Sequence, residues 1–501
     1  MDTVQAQFSL VPTNYSLQQR YIINIVEEHL RKPEEERIKD QLRYIVTGSA
    51  GTGKSTLIHS LKTLLDEKRS KDPHFFYIIA SYTGLSAQNI NGFTIHHSFG
   101  LPLTVPKTKA GYDKFIRNWR RGPQRSNLRK VSFILIDELS FLGNEHFHLI
   151  DQLLKEANPD KAHLPFSGKS VILLGDLFQL LPINQKALFQ PAKTLHGDSY
   201  KLYCSLDTSI ILKTCFRQEG NSVEQVEYRA FLERLRHRNC ISEDVNLLRS
   251  RREVVLPTSE KDDFEEALRI FPFRLEVAEY NRKVLETKFE GRILRIKYPN
   301  DCYLNLAIGC KVIVTKNVPY LVRDGVTNST VGTVESVILT YGNAQQGICN
   351  IEDVIQVNIE VTKRDRTKST HSVIRTLCPN HQIPLALCYA VTIHKCQGIE
   401  LDKAVAKLGT SEFTTNSDYI IFSRVRSLKD IMITDSFIQN NRIVTLPEVS
   451  FVETESTRLK RLQHPCFALK NVVTYLHKRN MGNFCHNGNS YKVQALQKES
   501  D

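Results

Sequence analysis

The sequence has 501 residues, enough for several domains, and 41% of them are hydrophobic, which suffices for ordinary folded cores. Its formal net charge of +13 at pH 7 points to a polyanionic partner, either nucleic acid or an anionic surface, although a merely basic cytosolic protein would carry the same charge. Because no apolar run is long enough to span a bilayer and the first residues lack the pattern of a signal peptide, we expect no membrane partner and no secretion.

The 11 cysteines show neither a Cys-x-x-Cys pair nor the Cys/His spacing of a zinc site. An odd, scattered set of this kind is typical of reduced thiols inside a cell. We therefore predict an intracellular protein, in the nucleus first, with the mitochondrion or a viral or host compartment as alternatives.

The first predicted element is a helix that follows Ser16, a residue type suited to the N-cap. Its apolar stripe consists of Tyr21, Ile22, Ile25, Val26 and Leu30. Gln19, in the first turn, stands ahead of a phosphate-binding sequence and could offer its amide to both edges of an adenine. A surface glutamine at a helix start is equally consistent with these residues.

A glycine-rich sequence separates the apolar run 44–46 from a second predicted helix. It consists of Gly48, Ser49, Ala50, Gly51, Thr52, Gly53, Lys54, Ser55 and Thr56. Strand, loop and helix in this order predict a phosphate-binding loop, because the glycines let successive N–H groups and the helix N-terminus face a phosphate. Lys54 would reach the outer phosphates, and the Ser55 hydroxyl would hold Mg²⁺. The loop indicates a nucleotide but not the reaction.

A second strand is predicted at 76–80, followed by polar segments that contain Thr83, Gly84 and His96. Strands that alternate with helical stretches predict an α/β fold with a parallel, doubly wound sheet. Hydroxyls, a glycine and a histidine at the carboxyl end of a strand are suited to gripping a sugar–phosphate backbone. An ordinary polar loop explains the same residues equally well.

Residues 106–130 form the most basic stretch of the first half, with nine Lys or Arg residues against one acid, Asp113. Tyr112, Phe115 and Trp119 lie among them. Positive charge with interleaved aromatic rings is typical of single-stranded nucleic-acid binding, which we favour over a solvated loop whose aromatics cover a small core.

Two further apolar strands are followed by polar residues. The first, 131–136, runs into Asp137 and Glu138, and the second, 171–174, precedes Gln179. Downstream of a phosphate-binding loop, Asp137 would hold Mg²⁺ through water and Glu138 would polarise the attacking water. The Gln179 amide could sense the terminal phosphate, a weak signal when taken alone.

Four later motifs complete an ordered set. They are 212–218 (LKTCFRQ), 270–272 (IFP) with the helix behind it, 389–398 (YAVTIHKCQG) and 419–427 (YIIFSRVRS). Together with the earlier motifs, they resemble the superfamily-one DNA helicases of the Pif (petite integration frequency) type, which are related to the RecD-like helicases. The resemblance covers about residues 10–440, and seven motifs in one order make it highly specific.

The resemblance implies ATP and Mg²⁺ between two RecA-like domains. The implied catalytic residues are Lys54, Asp137, Glu138 and Gln179 from the first domain and Arg217 and Arg424 from the second. The two arginines would stabilise transition-state charge, as arginine fingers do. Gln397 and Gly398 would sense the nucleotide, and Gln19 would read the adenine.

Single-stranded DNA would cross both domains. The resemblance implies that its contacts are Thr83, Gly84 and His96 on the first domain and Thr392, His394 and Lys395 on the second.

The same resemblance implies a domain plan. The first RecA-like domain would occupy 1–205, with a basic pin or wedge insert at about 100–130. The second would comprise 206–299 and 386–445, interrupted at 300–385 by a small SH3-like β-barrel, where short strand patterns separated by Gly, Asn and Asp also predict β structure. Residues 446–501 lie beyond the resemblance and form a basic tail, either solvated or a DNA-binding or localisation segment.

Six residues depart from the family pattern: Leu181, Ser329, Cys396, Glu400, Asn416 and Ser417. Cys396 lacks the hydroxyl of the usual serine for a DNA contact, and Asn416 with Ser417 replaces a Gly-Gln pair whose loss could weaken coupling near the ATP. None coincides with a catalytic position, so we expect an active ATPase.

We therefore predict an ATP-dependent DNA helicase that translocates on single-stranded DNA, 5′ to 3′ by the resemblance, and opens duplex junctions as a monomer. Its process would be replication, repair, recombination or telomere maintenance. One alternative is a DNA-stimulated ATPase clamp or remodeller that does not unwind. A P-loop kinase or unrelated NTPase without DNA dependence is another, and an RNA substrate is a third.

Overall fold

The computed structural model describes residues 15–182, 184–191, 193–194, 197–299, 302–340, 347–362, 367–409, 414, 416–434, 450–463, 483–486 and 489–492. Most of the predicted basic tail therefore lies outside the described residues.

The described residues form seventeen α-helices. They are α1 (Leu17–Arg31), α2 (Glu34–Lys39), α3 (Lys54–Lys71), α4 (Gly84–Asn89), α5 (Ile95–Phe99), α6 (Lys109–Trp119), α7 (Pro123–Lys130), α8 (Asn144–Ala157), α9 (Ser199–Cys204), α10 (Val223–Arg236), α11 (Ser242–Arg249), α12 (Thr258–Asp262), α13 (Arg274–Lys288), α14 (Pro319–Arg323), α15 (Ile393–Cys396), α16 (Ser417–Phe422) and α17 (Ser450–Arg461).

Twenty-two strands accompany them in the described residues. They are β1 (Arg43–Gly48), β2 (Phe76–Ser81), β3 (Phe93–Thr94), β4 (Val131–Asp137), β5 (Ser170–Gly175), β6 (Lys193–Thr194), β7 (Gly197–Asp198), β8 (Thr208–Leu212), β9 (Leu268–Phe271), β10 (Leu294–Lys297), β11 (Tyr303–Leu306), β12 (Lys311–Val314), β13 (Val331–Leu339), β14 (Ile348–Asn350), β15 (Val354–Thr362), β16 (Lys368–Ile374), β17 (Leu385–Leu387), β18 (Ala390–Thr392), β19 (Ala404–Ala406), β20 (Ile431–Ile433), β21 (Asn483–His486) and β22 (Asn489–Lys492).

The first sheet has the strand order β3-β2-β4-β5-β1-β8, and every neighbouring pair is parallel. Parallel pairing brings the carboxyl ends of β1, β2, β4 and β5 to one edge, where the phosphate-binding loop and the polar segments begin. The predicted parallel α/β sheet is confirmed. Because β8 pairs with β1, this unit extends to Leu212, beyond the predicted boundary at 205.

Helices cover both faces of this sheet. Along β4, Ile134 and Ile136 pack into the core under α8, whereas Phe133 and Leu135 pack on the opposite face with α1 and α3. Both faces are buried, so the strands read as continuous apolar runs rather than as alternating ones. The rigid sheet between two helical layers holds the loops at its edge in place.

A second parallel sheet has the order β18-β9-β19-β20. Ile270, Val391 and Ile431 line one face with side chains of α10 and α16, and Val405 lies on the other face with Phe264. Two parallel sheets, each with its own core, agree with the predicted pair of RecA-like units.

Antiparallel strands interrupt the second unit. The sheet β16-β15-β13-β12-β17 is antiparallel throughout, and β11-β10-β14 lies against the same core. The predicted β-rich insert is present, and it begins earlier than predicted, at β10, because Ile296 belongs to its core. Its SH3-like closure stays a prediction.

Ser329 adopts a φ of +73° in the turn between α14 and β13, where the family usually has glycine. A left-handed backbone costs an L-residue roughly 1 to 2 kcal/mol, so we expect Ser329→Gly to stabilise the insert by about 1 kcal/mol. The measurement is the thermal unfolding midpoint of both proteins. Asn91→Gly, at a φ of +49°, is the control and should shift the midpoint less, because asparagine tolerates this region. An unchanged midpoint for Ser329→Gly would show that the turn is not strained.

The basic stretch forms helices α6 and α7, and the aromatic residues there are not a stacking surface. Trp119 is only 6% exposed and donates its indole N–H to the Phe99 carbonyl at 2.8 Å. Tyr112 and Phe115 pack against the same core. The alternative interpretation, in which the aromatic residues cover a core, is therefore correct, and the stacking interpretation is wrong for these three side chains. The exposed cations Lys109, Lys114, Arg117, Arg121, Arg125 and Arg129 make no ion pair with the described residues.

Helix α17 shows that part of the predicted tail is packed. Val452 and Leu459 are buried in the core of the first unit, and Tyr203 donates its hydroxyl to the Glu455 carboxylate at 2.8 Å. This segment is not a solvated tail. Among the described residues, no helix combines the length and the apolar character that a bilayer crossing requires.

Candidate active site and nucleic-acid interface

The glycine-rich loop joins the end of β1 to the start of α3, as predicted. Gly51 and Gly53 have φ of +83° and +75°, which a side chain would disfavour. The Lys54 ammonium lies across the loop and donates to the carbonyls of Gly48 at 2.8 Å and Ser49 at 2.9 Å. Burial lowers the pKa of Lys54, and Asp176 is the foremost of the acids that oppose this. A buried cation inside a loop of backbone amides is a site for a phosphate chain.

The two adjacent carboxylates lie at the end of β4, beside this lysine. Burial and the charge of Glu138 raise the pKa of Asp137 to about 7, and Lys54 acts in the opposite direction. Glu138 has a φ of +59°, an unusual conformation for a residue other than glycine. Its carboxylate accepts hydrogen bonds from the Ser86 hydroxyl of the first unit at 3.4 Å and from the Gln397 amide of the second unit at 2.9 Å.

A glutamine pair connects the two units at this carboxylate. The Gln397 amide nitrogen donates to Glu138 Oε2 and to Gln179 Oε1, each at 2.9 Å. All three side chains thus meet in one network, with Gln179 and Gln397 at 5% and 4% exposure. The Gln397 carbonyl oxygen is buried and has no hydrogen-bond partner among the described residues.

The segment after β8 lies directly on the phosphate-binding loop. The Phe216 amide donates to the Gly51 carbonyl at 2.7 Å, and a Cβ placed on Gly51 would lie 2.6 Å from that of Arg217. The Arg217 guanidinium donates Nη1 to the Ser423 carbonyl at 3.0 Å, whereas its buried Nε has no hydrogen-bond partner among the described residues. Burial, followed by the nearby Arg424, lowers the pKa of Arg217.

Arg424 differs from Arg217 in its partners. Its Nε, Nη1 and Nη2 donate to the Ile420 carbonyl, the Ile399 carbonyl and the Ser423 hydroxyl, at 2.9, 3.3 and 2.7 Å. The structure therefore holds Arg424 inside the second unit and leaves Arg217 with donor capacity beside the loop.

Sequence reasoning missed a buried polar network on the other side of the loop. Tyr419 accepts a hydrogen bond from the Ala50 amide at 2.9 Å and donates to Asp176 at 3.1 Å, and Arg236 holds the same carboxylate at 2.9 Å. Burial raises the pKa of Tyr419. A tyrosine inside an apolar helix is usually interpreted as a core residue. The feature of the sequence that could have indicated this network is Asp176, an acid directly after the buried strand β5.

Gln19 lies against the loop, but its amide is already engaged. It donates to the carbonyls of Gly53 at 3.1 Å and Thr52 at 3.4 Å and accepts from the Ser16 amide at 2.8 Å. Adenine recognition by Gln19 stays a prediction that requires these bonds to change.

The residues predicted to contact DNA differ in how accessible they are. Thr83 caps α4 and Thr392 precedes α15, at the carboxyl ends of β2 and β18, with Lys395 exposed. His96 is half-buried, its ring edge-on to Tyr82 and His146, and burial lowers its pKa to about 4. The neighbouring His97 is the exposed histidine, and it stacks on Phe93 with ring centroids 5.0 Å apart.

The β insert contacts the first unit beside this surface. Gln88 of α4 accepts hydrogen bonds from the hydroxyls of Thr327 at 3.1 Å and Thr330 at 3.2 Å. A Cβ on Gly84 would lie 3.2 Å from Asn328. The glycine thus permits a close approach between α4 and the insert.

Comparison with known proteins identifies this arrangement. The sequence profile of the PIF1-like helicases matches residues 17–241. A protein of Trypanosoma brucei brucei named ATP-dependent DNA helicase PIF6 is 27% identical, over 78% of this chain and 50% of its own length. One of Bdellovibrio bacteriovorus named ATP-dependent DNA helicase Pif1 is 27% identical, over 81% of this chain and 88% of its own length.

The chain is therefore similar to the PIF1-like helicases, by sequence profile over residues 17–241 and by sequence identity over about four fifths of its length. Its fold is similar to the crystal structure of Pif1 helicase from Candida albicans, with a TM-score of 0.66 and 22% identity over 89% of this chain and 99% of that one. A Pif1 helicase from Bacteroides, described in complex with ADP-AlF3 and ssDNA, has a TM-score of 0.62 and 22% identity. The chain spans about half the length of the trypanosome protein.

The structure explains how two of the residues that depart from the family pattern are accommodated. Cys396 is fully buried with its thiol on the Ile393 carbonyl, so this side chain does not face the expected DNA surface. Asn416 has a φ of +64°, where asparagine is the usual substitute for glycine, and it accepts a hydrogen bond from Arg238 at 3.1 Å.

Proposed function

We propose that the protein is an ATP-dependent DNA helicase, and the observation that carries this is the Gln179–Gln397–Glu138 network. These three side chains meet beside the phosphate-binding loop in the proposed ATP cleft. Gln397 directly follows α15, which carries the predicted DNA contacts His394 and Lys395 and is preceded by Thr392. A change at the attacking water or the γ-phosphate would therefore reach the DNA-binding turn through one short segment.

In this proposal the γ-phosphate of ATP lies between Lys54 and Arg217. Lys54 would leave the two loop carbonyls and contact the phosphate, since an anion is a stronger acceptor than a neutral carbonyl. Glu138 would orient and polarise the attacking water, with Gln179 and Gln397 beside it. Arg217, and Arg424 after rearrangement, would stabilise charge on the transferred phosphoryl group.

The residues present also fit a magnesium ion. Ser55 lies in the first turn of α3 beside Lys54, and Asp137 is a buried carboxylate whose pKa is raised by burial and by the charge of Glu138. A hydroxyl and a carboxylate are the hard oxygen ligands that Mg²⁺ prefers. When bound, Mg²⁺ would neutralise charge on the phosphate oxygens. Asp137 would then remain ionised at neutral pH.

Single-stranded DNA would run across α4 and α15, under the insert. Closure of the cleft on ATP and opening after hydrolysis would let the two surfaces hold the strand in turn. The 5′-to-3′ direction, the monomeric state, the unwinding process and a nuclear location stay predictions. One solved relative is described as two coordinating Pif1 helicases at forked dsDNA, so the number of chains at a fork is part of the test.

The test is ATP hydrolysis with and without single-stranded DNA, followed by strand separation on duplexes with 5′ or 3′ tails. A helicase should show turnover stimulated many-fold by DNA and should open one tail polarity. Stimulated turnover without strand separation would favour a clamp or remodeller. Turnover indifferent to DNA would reject both, and single-stranded RNA in parallel would identify an RNA substrate.

We expect Phe93→Ala to weaken single-stranded DNA binding about five- to one-hundred-fold, because base–aromatic stacking contributes roughly 1 to 3 kcal/mol. Phe93 is 52% exposed and stacks on exposed His97, the residue next to the predicted DNA contact His96. Fluorescence anisotropy with a labelled oligonucleotide at fixed salt gives the dissociation constant. Tyr303→Ala, at 49% exposure in β11, is the matched control. Equal affinities for both variants would place the strand elsewhere.

A further inference from the structure

Glu400 lies between two arginines at the mouth of the ATP cleft. Its Oε2 is 3.6 Å from Arg217 Nε, and its Oε1 accepts a hydrogen bond from Arg426 Nε at 3.0 Å. The carboxylate is half-exposed, and the Arg217 side chain is mostly buried. Glu400 is also one of the positions at which this sequence departs from the pattern of the family it resembles.

Backbone bonds hold Glu400 in this place. The Ile399 carbonyl accepts from Arg424 Nη1 at 3.3 Å, and the Leu401 amide donates to the Arg424 carbonyl at 3.0 Å. The residues on both sides of Glu400 are thus fixed to the segment that contains Arg424. The carboxylate cannot move away from Arg217 without breaking these bonds or changing its rotamer.

Arg217 lies close to a second buried cation, Arg424, and a nearby anion would stabilise its charge. Arg424 lies close enough to lower its pKa, and Glu400 is the foremost group that opposes this. Among the described residues, Glu400 is the only carboxylate within ion-pair distance of Arg217. In the nucleotide-free cleft it therefore offsets repulsion between two buried cations.

The γ-phosphate of ATP would need the same guanidinium. Arg217 lies against Gly51 of the phosphate-binding loop, and its Nε, the atom nearest Glu400, has no hydrogen bond to the described residues. We propose that Glu400 is a positioning residue that holds Arg217 until the γ-phosphate displaces it. This inference rests on the proposed ATP site and adds that the chain lowers its own affinity for the triphosphate relative to the diphosphate.

Arg426 provides a second test of the proposal, with the opposite expected effect on triphosphate affinity. It shares the Glu400 carboxylate and is largely exposed, so its loss would leave the carboxylate to Arg217 alone. Removal of Glu400 should tighten triphosphate binding, and removal of Arg426 should weaken it. Because Glu400→Gln removes a negative charge and Arg426→Gln removes a positive one, a simple change of net charge would shift triphosphate affinity in the same directions. The comparison with ADP, and with Asp402→Asn, which removes one negative charge two residues away, separates the proposal from that explanation.

The experiment is calorimetric titration of the full chain with β,γ-imido-ATP and, separately, ADP, each with Mg²⁺. We expect Glu400→Gln to tighten imido-ATP about two- to five-fold, the range for a partly exposed ion pair, with ADP unchanged. Arg426→Gln should weaken imido-ATP about two-fold. Asp402→Asn, an exposed acid two residues away, is the matched control and should change neither.

Equal shifts for ADP and imido-ATP, or no shift for Glu400→Gln, would overturn the inference. Thermal unfolding of each variant checks that folding is retained, which we expect because the side chain is half-exposed. The readout needs neither DNA nor turnover. Failure of the native chain to bind imido-ATP would instead overturn the proposed function.

Discussion

Replacement of Lys54 by alanine should reduce ATP turnover about 100- to 1000-fold, both with and without single-stranded DNA. The ammonium is the cation inside the phosphate-binding loop, held between the carbonyls of Gly48 and Ser49. Without it, the charge that develops on the phosphate oxygens loses its preorganised partner. Phosphate release under saturating ATP gives the rate.

Lys68→Ala is the matched control for this prediction. Lys68 is on the same helix, α3, and pairs with Asp72 at 4.0 Å on the surface, so turnover should remain near that of the native chain. Lys54→Ala should fold normally, because burial disfavours the lysine charge in the free protein. Turnover within a few-fold of native in Lys54→Ala would contradict the phosphate assignment.

Arg217→Ala should lower DNA-stimulated turnover by about 1000-fold, the lower end of the range for an arginine finger. The guanidinium lies beside Gly51, and its one hydrogen bond to the part of the chain that the structure describes runs from Nη1 to the Ser423 carbonyl. Imido-ATP should still bind, because the loop and Lys54 remain. Single-turnover hydrolysis separates the loss of chemistry from a loss of binding.

Two variants make the Arg217 result specific. Arg217→Lys should recover only part of the activity, since a point charge cannot reproduce the guanidinium fork. Arg282→Ala removes an exposed arginine of α13 that pairs with Glu286 at 3.2 Å, and it should leave turnover unchanged. If Arg217→Ala retained native turnover while Arg424→Ala lost it, the finger would be Arg424.

Local sequence patterns were sufficient to predict the structure where the relevant residues lie within one contiguous segment. Strand, glycine loop and helix predicted the loop at 48–55 because the loop is contiguous and its glycines have one geometric purpose. The apolar run before Asp137 predicted a buried strand for the same reason. The insert was visible because its short strands lack the continuous apolar runs of the parallel sheets.

Contacts between distant segments could not be read in this way. Tyr419 and Ala50 are 369 positions apart, and nothing local distinguishes this tyrosine from a core residue. The aromatics of 106–130 suggested stacking because composition does not tell which face of an amphipathic helix is buried. His96 and His97 are adjacent, and only the turn of α5 decides which one is exposed.

The long insert separates strands that must pair. Strand β9 lies between β18 and β19 in its sheet, and the chain makes β18 only after the whole insert. The first sheet can close once β8 has left the ribosome, whereas the second must wait until residue 392 and beyond, roughly ten to forty seconds later at ordinary rates of synthesis. During that interval the phosphate-binding loop exists without the tyrosine that anchors it. The nascent chain would therefore form its phosphate-binding loop well before the second unit can fold. We expect chaperones to bind the unpaired edge of β9 during that interval.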